Sequence, residues 1–159
     1  MTPRVRRWLL SGLGFLCTAA AAVTPTAPVQ PGQVWTLSAT TADGERFRTT
    51  LRVDTTPPTG TPATYRADRG ALILDPARGT LIALDLLDAR QGGVGLACVV
   101  EGPLDALEVE GVLASGTLAD LPARLETALA VIGVAHTPAD RAAAVQELKL
   151  GTCTLTHAP

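Results

Sequence analysis

From Val34 to Val53 apolar and polar residues alternate with a period of two, interrupted once by Ala42-Asp43-Gly44-Glu45. Trp35, Leu37 and Ala39 fall on one side against Thr36, Ser38 and Thr40; Phe47, Thr49, Leu51 and Val53 alternate with Arg46, Arg48, Thr50 and Arg52. A segment written this way buries one face of a strand and cannot build a helical stripe. The Asp-Gly pair between the runs turns the chain, so the segment is an antiparallel hairpin with one wet face. Arg46, Arg48 and Arg52 share that wet face, where charge is ordinary.

The same pattern continues in shorter pieces. Thr55 to Pro62, rich in Thr, Pro and Gly, is a loop. Strands are expected at Ala63–Ala67 and Ala71–Leu74. A third, Thr80–Leu87, is so continuously aliphatic that it should be buried on both faces. Val94–Val100 and Leu107–Leu113 follow. After Gly116 the period becomes helical: Leu121, Leu125, Leu129 and Ile132 form one stripe behind an Asp120 cap and Pro122. Thr137-Pro138-Ala139-Asp140 starts a second helix, expected to end at Gly151. Thr152 to His157 alternates again and returns to the sheet. The short connections favour antiparallel neighbours. The expected fold is α+β: a mainly antiparallel curved sheet or partly closed barrel of about eight strands, with two helices before the last strand.

Ahead of this domain, Arg4, Arg6 and Arg7 precede an uncharged apolar run from Trp8 to Val23 that ends in the alanines 19–22. This is the order of a cleavable signal peptide over residues 1–22. The run is shorter than the roughly 20 residues that span a bilayer, so no permanent membrane span is expected. A lipoprotein is less favoured, because the positions before Cys17 that a lipid-attachment box reads are Gly14 and Leu16. Arg6 and Arg7 resemble a twin-arginine signal without its fuller motif. Residues 23–32, with Pro25, Pro28 and Pro31, read as a Pro-rich linker, and residues 33–159 as one domain. The protein is therefore expected to be exported, secreted or periplasmic.

Export leaves Cys98 and Cys153 as the cysteine pair of the mature chain, and an oxidising compartment would join them in a disulfide. Neither lies in a Cys-x-x-Cys arrangement, so the bond should be structural. Losing the signal also removes three arginines and no acid, leaving ten basic residues against fifteen acidic ones. A nucleic-acid binder would be basic, so nucleic acid is excluded as a partner class.

Nothing in the chain assembles a nucleophile, base and orienting group at readable spacing, so no enzyme is expected. Ser115, in Leu113-Ala114-Ser115-Gly116-Thr117, has no elbow motif and reads as a strand-end turn. His136 with Asp140 or the distant His157 matches no metal-ligand spacing. Asp85 with Asp88, and Glu108 with Glu110, read as solvent-facing acids. Gly92-Gly93-Val94-Gly95 lacks the Lys and the following helix of a phosphate loop, and no cofactor is called for.

The Trp on the first strand, the meander, the late helix and the closing strand together resemble a lipocalin-like barrel. The family's Gly-x-Trp start stands here as Gly32-Gln33-Val34-Trp35, one residue longer, and the second helix is an addition. The resemblance implies a binder of a small apolar ligand. Trp35, Leu37, Phe47, Leu51 and Tyr65 would line one end of a cavity, with Ile82, Leu84 and Leu96 deeper. Against it stands the absence of convergent polar groups to orient a ligand. The favoured expectation is a non-catalytic structural or protein-interaction module of the cell envelope, whose partner is an unknown envelope protein.

Overall fold

A computed structural model describes residues 28–87 and 93–158. The expected signal peptide, residues 1–22, and the first part of the linker lie outside the described residues. The elements are β1 (Val34–Thr40), β2 (Arg46–Arg52), β3 (Ala63–Ala67), β4 (Gly70–Asp75), β5 (Thr80–Leu87), β6 (Val94–Glu101), β7 (Glu108–Thr117), α1 (Leu121–Val134), α2 (Pro138–Glu147) and β8 (Gly151–His157). The strands form one sheet in the order β2-β1-β8-β7-β6-β5-β4-β3, with every pair antiparallel. Each strand thus lies beside its chain neighbour or, for β1 and β8, closes the two ends of the meander on each other. The exceptions are β2 and β3, consecutive in the chain but at opposite edges.

The sheet curls until those edges meet at one end. Val53, just past β2, bridges Ala67. The Asp54 N–H donates to the Arg66 carbonyl (2.8 Å), and the Asp68 N–H to the Arg52 carbonyl (3.1 Å). The result is the α+β half-barrel anticipated above. It bends sharply at β7. Cys98 on β6 and Cys153 on β8 flank β7, yet their Cα atoms are 5.9 Å apart and joined by a disulfide. Two strand spacings in a flat sheet would separate them by about 9.6 Å. Gly111 sits at this corner, opposite both Cys153 and Val100. A Cβ there would collide with the Val99 carbonyl oxygen, so the close approach requires glycine.

Two apolar layers result. The inward face carries Trp35, Leu37, Leu51, Tyr65, Leu72, Leu81, Leu96 and Leu155, all buried in one cluster. The outward face of β6 and β7 carries Ala97, Val99, Val112 and Ala114, covered by Leu121, Ala128, Val131 and Ile132 of α1. β6 is consequently buried along Gly95–Val100 on both faces. Leu125 and Leu129, the middle of the expected stripe, are only partly buried.

Several local expectations are corrected. Asp120 makes no side-chain cap; instead the Thr117 hydroxyl accepts from the Asp120 N–H (3.3 Å) and donates to its carboxylate (2.7 Å). α2 starts as expected, with the Thr137 hydroxyl accepting from the Asp140 N–H at 3.1 Å, but it ends at Glu147 and not at Gly151. Lys149 takes the left-handed turn (φ 51°), and the Leu150 N–H reaches back to the Val145 carbonyl. Gly151 already belongs to β8, where a Cβ would strike the Thr40 carbonyl oxygen. β7 runs to Thr117, so Ser115 is a strand residue paired with Leu96. The end of the Pro-rich segment is also packed: Val29 is buried in the inner cluster, and the Gly32 N–H donates to the Val53 carbonyl.

Candidate functional site

The structure brings the expected ligand-lining residues together, on the inward face of β1, β2 and β3. Trp35 and Leu51 are direct cross-strand partners, as are Ala39 and Phe47. Trp35, Leu37, Leu51 and Tyr65 are buried against one another's cluster, and Phe47 packs at its margin half-exposed. Ile82 and Leu84 are not deeper members of this set. They point outward into the layer under α1, while Leu81 and Ala83 of the same strand point inward. Leu96 is inward as expected.

Trp35, Leu37, Leu51 and Tyr65 are each at most 6 % exposed. Clefts of about 350 to 370 Å³ lie elsewhere: on the outer face of β2, β1 and β8, between α2 and β7–β8, and at the mouth beside the β1–β2 turn. Of the expected lining residues Phe47 borders the first and last of these, whereas Trp35, Leu37, Leu51 and Tyr65 border none of them. The end holding Trp35 is stoppered. The Gln33 amide oxygen accepts from Trp35 Nε1 (3.0 Å) and from the Gln30 N–H (3.1 Å). Gln33 Nε2 lies 3.1 Å from His157 Nδ1, and the His157 ring lies on Trp35 with centroids 4.6 Å apart.

His157 is therefore a packing residue of that stopper, whereas His136 is exposed at the α1–α2 joint. The Asp140 carboxylate beside His136 accepts the Thr137 hydroxyl at 2.6 Å, which occupies it in the helix cap. Among the described residues no group of three or more His, Cys, Asp and Glu could hold a metal ion. Glu108 and Glu110 are exposed as expected, and Asp88 lies outside the described residues.

Asp85 departs from expectation. It faces inward between Gly70 and Leu96 and is 0 % exposed. Arg69 Nε lies 3.4 Å from its carboxylate, but neither carboxylate oxygen has a hydrogen bond among the described residues. Thr49 Oγ1 is likewise buried and unpartnered on the inward face. A strand position read as one of a pair of surface acids is thus an interior charge; its phase is hidden because β5 is apolar on both faces.

Arg124 Nε, Arg141 Nε and His157 Nε2 are also buried without a hydrogen-bond partner among the described residues, and a further set of unpartnered groups is in the backbone. In an antiparallel strand alternate residues direct N–H and C=O to the same side. On β2 the odd-numbered residues face β1: beyond its ends, Glu45 accepts from Thr41 and Val53 donates to Gln33. The even-numbered residues face the edge. Arg52 and Asp54 find partners there: the Arg52 N–H donates to the Asp68 carboxylate (2.9 Å), its carbonyl accepts from Asp68, and Asp54 donates to Arg66. Arg46, Arg48 and Thr50 find none among the described residues, because β2 pairs only with β1. The sequence shows this strand but not that one side of it would stay open, since that depends on how far the sheet closes.

Comparison with protein-family models, with curated proteins and with solved structures found no match to the chain.

Proposed function

We propose that this is an exported, non-catalytic protein-interaction module of the cell envelope that engages its partner through the open edge of β2. The observation that carries the reading is the stretch Arg46–Thr50, whose edge-directed backbone groups have no partner among the described residues, in a sheet paired on both sides of every other strand but β3. Unpaired strand edges are templates for a further strand, and recognition domains use them so. Export is supported by the arginines and apolar run ahead of the domain, and by a disulfide that persists in oxidising compartments. No described helix is long and apolar enough to cross a membrane. The competing reading, a lipocalin-like binder of a small apolar ligand, is less favoured because Trp35, Leu37, Leu51 and Tyr65 pack into one buried cluster and line none of the clefts described above.

Native mass spectrometry of the protein from its own host separates the two. A stoichiometric protein partner that is lost when Thr50 is replaced by proline supports the interaction module. A retained small apolar molecule with no protein partner would sink it.

A further inference from the structure

Building on that reading, we propose that the open edge of β2 selects one kind of partner: an extended segment in which carboxylate and apolar side chains alternate. The backbone of Arg46, Arg48 and Thr50 offers N–H and C=O groups to such a strand, and the pairing must stop at Arg52, whose groups Asp68 already satisfies. The alternation of β2 then dictates what the incoming strand meets on each face, because cross-strand neighbours lie about 5 Å apart. On the outer face it meets Arg46 and Arg48. Their neighbours across β1 are Thr40 and Ser38, and neither guanidinium makes an ion pair among the described residues. These are two unneutralised cations in a chain whose formal net charge is −2. On the inner face the strand meets half-exposed Phe47, then Thr49 and Leu51, and continues the apolar layer of the barrel. Carboxylates outward and apolar residues inward satisfy both faces at once.

Charge also removes the other occupants. A second copy pairing β2 with β2 in antiparallel fashion would set arginines against arginines across the new ladder, which is destabilising. Residues 1–27 of this chain contain no Asp or Glu to neutralise Arg46 and Arg48. The outer cleft lined by Arg46, Arg48, Ser38, Thr40, Thr152 and Thr154, about 350 Å³, gives the carboxylates hydroxyl donors beside the guanidiniums.

The test uses the purified, oxidised protein and two labelled synthetic peptides, one alternating Glu with Val and one alternating Lys with Val, followed by fluorescence anisotropy. The Glu-Val peptide is expected to bind saturably and the Lys-Val peptide at least about tenfold more weakly. The double variant Arg46→Glu, Arg48→Glu should invert that preference. Thr50→Pro, which removes an edge-directed N–H without touching the β1 ladder, should abolish binding while the circular dichroism spectrum is unchanged. Equal binding of the two peptides, or no binding of either up to about 1 mM, overturns the acidic-strand proposal. If native mass spectrometry at the same time shows a protein partner lost from Thr50→Pro, the interaction module stands and only its partner class is wrong. If that partner is also absent, both fall.

Discussion

β2 and β3 are the two edges of one sheet, and they end differently. The edge of β3 is covered along its length. Thr64 exchanges hydrogen bonds with Thr59 of the preceding loop (2.8 and 3.0 Å), and Arg66 accepts from Asp54. β2 is covered only past Thr50, where Asp68 takes both groups of Arg52. Among the described residues the chain caps one edge with its own loop and leaves the other without a partner, flanked by Arg46 and Arg48. Charged edges of this kind discourage indiscriminate strand addition. An edge that is open but charged would select what it pairs with, and this contrast is what the proposed interaction through β2 rests on.

The contrast depends on the curl, and the largest effect should come from releasing it. The Cys98–Cys153 bond closes a loop of 55 residues across the corner at Gly111. Replacing both cysteines by alanine is expected to cost about 4 kcal/mol in denaturant unfolding, on the chain-entropy model. Hydrogen exchange should then rise at Asp54 and Asp68, whose amides seal the seam. If those amides keep their protection while global stability falls, the bond does not hold the edges together, and the covered end owes its closure to the Thr55–Pro62 loop alone.

The second test compares the edges directly with one substitution. Proline at Thr64 removes a donor that bonds Thr59 and leaves the Thr59 carbonyl without its partner, at an expected cost of about 1 to 3 kcal/mol. Proline at Thr50 removes an N–H with no partner among the described residues; edge strands tolerate this, and the loss should stay below about 1 kcal/mol. Equal losses for the two variants in thermal or denaturant unfolding would mean that Thr50 is paired after all.

A smaller effect is expected in the interior, away from both edges. Asp85 is an interior carboxylate whose one charged neighbour among the described residues is Arg69 at 3.4 Å. Arg69→Ala leaves that carboxylate without a counter-charge. Full burial of both partners would make such a loss about 3 to 5 kcal/mol, but the Arg69 side chain is 45 % exposed, so about 1 to 2 kcal/mol is expected. Asp85→Leu removes the charge into an apolar layer and should be neutral or stabilising. Arg69→Ala should therefore lower stability where Asp85→Leu does not; a strongly destabilised Asp85→Leu would show that the carboxylate does work the packing does not reveal.

Much of this was legible from the chain. The β1–β2 hairpin was readable because each residue alternates cleanly, and the disulfide because only Cys98 and Cys153 follow the signal-like segment. The Thr137 cap of α2 was readable because Thr-Pro-x-Asp satisfies a helix start locally. What failed was phase and closure. β5 is apolar on both faces, so nothing local says that Leu81, Ala83 and Asp85 turn inward while Ile82 and Leu84 turn to α1; the expected burial on both faces is not met, because α1 covers the outward face only in part, leaving Ile82 and Leu84 half-buried and Leu86 exposed. Val29 sits in a Pro-rich tract whose composition resembles a linker, and its burial in the inner cluster depends on contacts with distant strands. The candidate site was half-visible: Arg46 and Arg48 stood out as a charged strand face, but the openness of their edge follows from where β3 stops.

The smallest effect tests how β2 is held in place. Its only strand partner among the described residues is β1, reached through the turn where the Thr41 hydroxyl donates to the Asp43 carboxylate. That hydrogen bond, assisted by the N–H groups of Asp43 itself and Glu45, holds the Asp43 carboxyl below its ordinary value of 3.8, against a small opposing effect of desolvation. A group whose folded value is depressed contributes stability that is present above its unfolded value and is lost as pH falls through the folded one. The turn should therefore hold β2 less firmly in acid, and β3, tied by neutral backbone bonds to Thr59, should not respond to this group. Asp43→Asn keeps an acceptor for Thr41 but cannot ionise. Amide exchange along β2 should be slower in the parent than in Asp43→Asn well above pH 3.8 and the same in both well below it, while exchange at Thr64 is unchanged by the substitution throughout. A difference between parent and variant that persists in acid would mean that shape and not charge holds the turn, and that β2 depends on its hairpin less than its single strand partner implies.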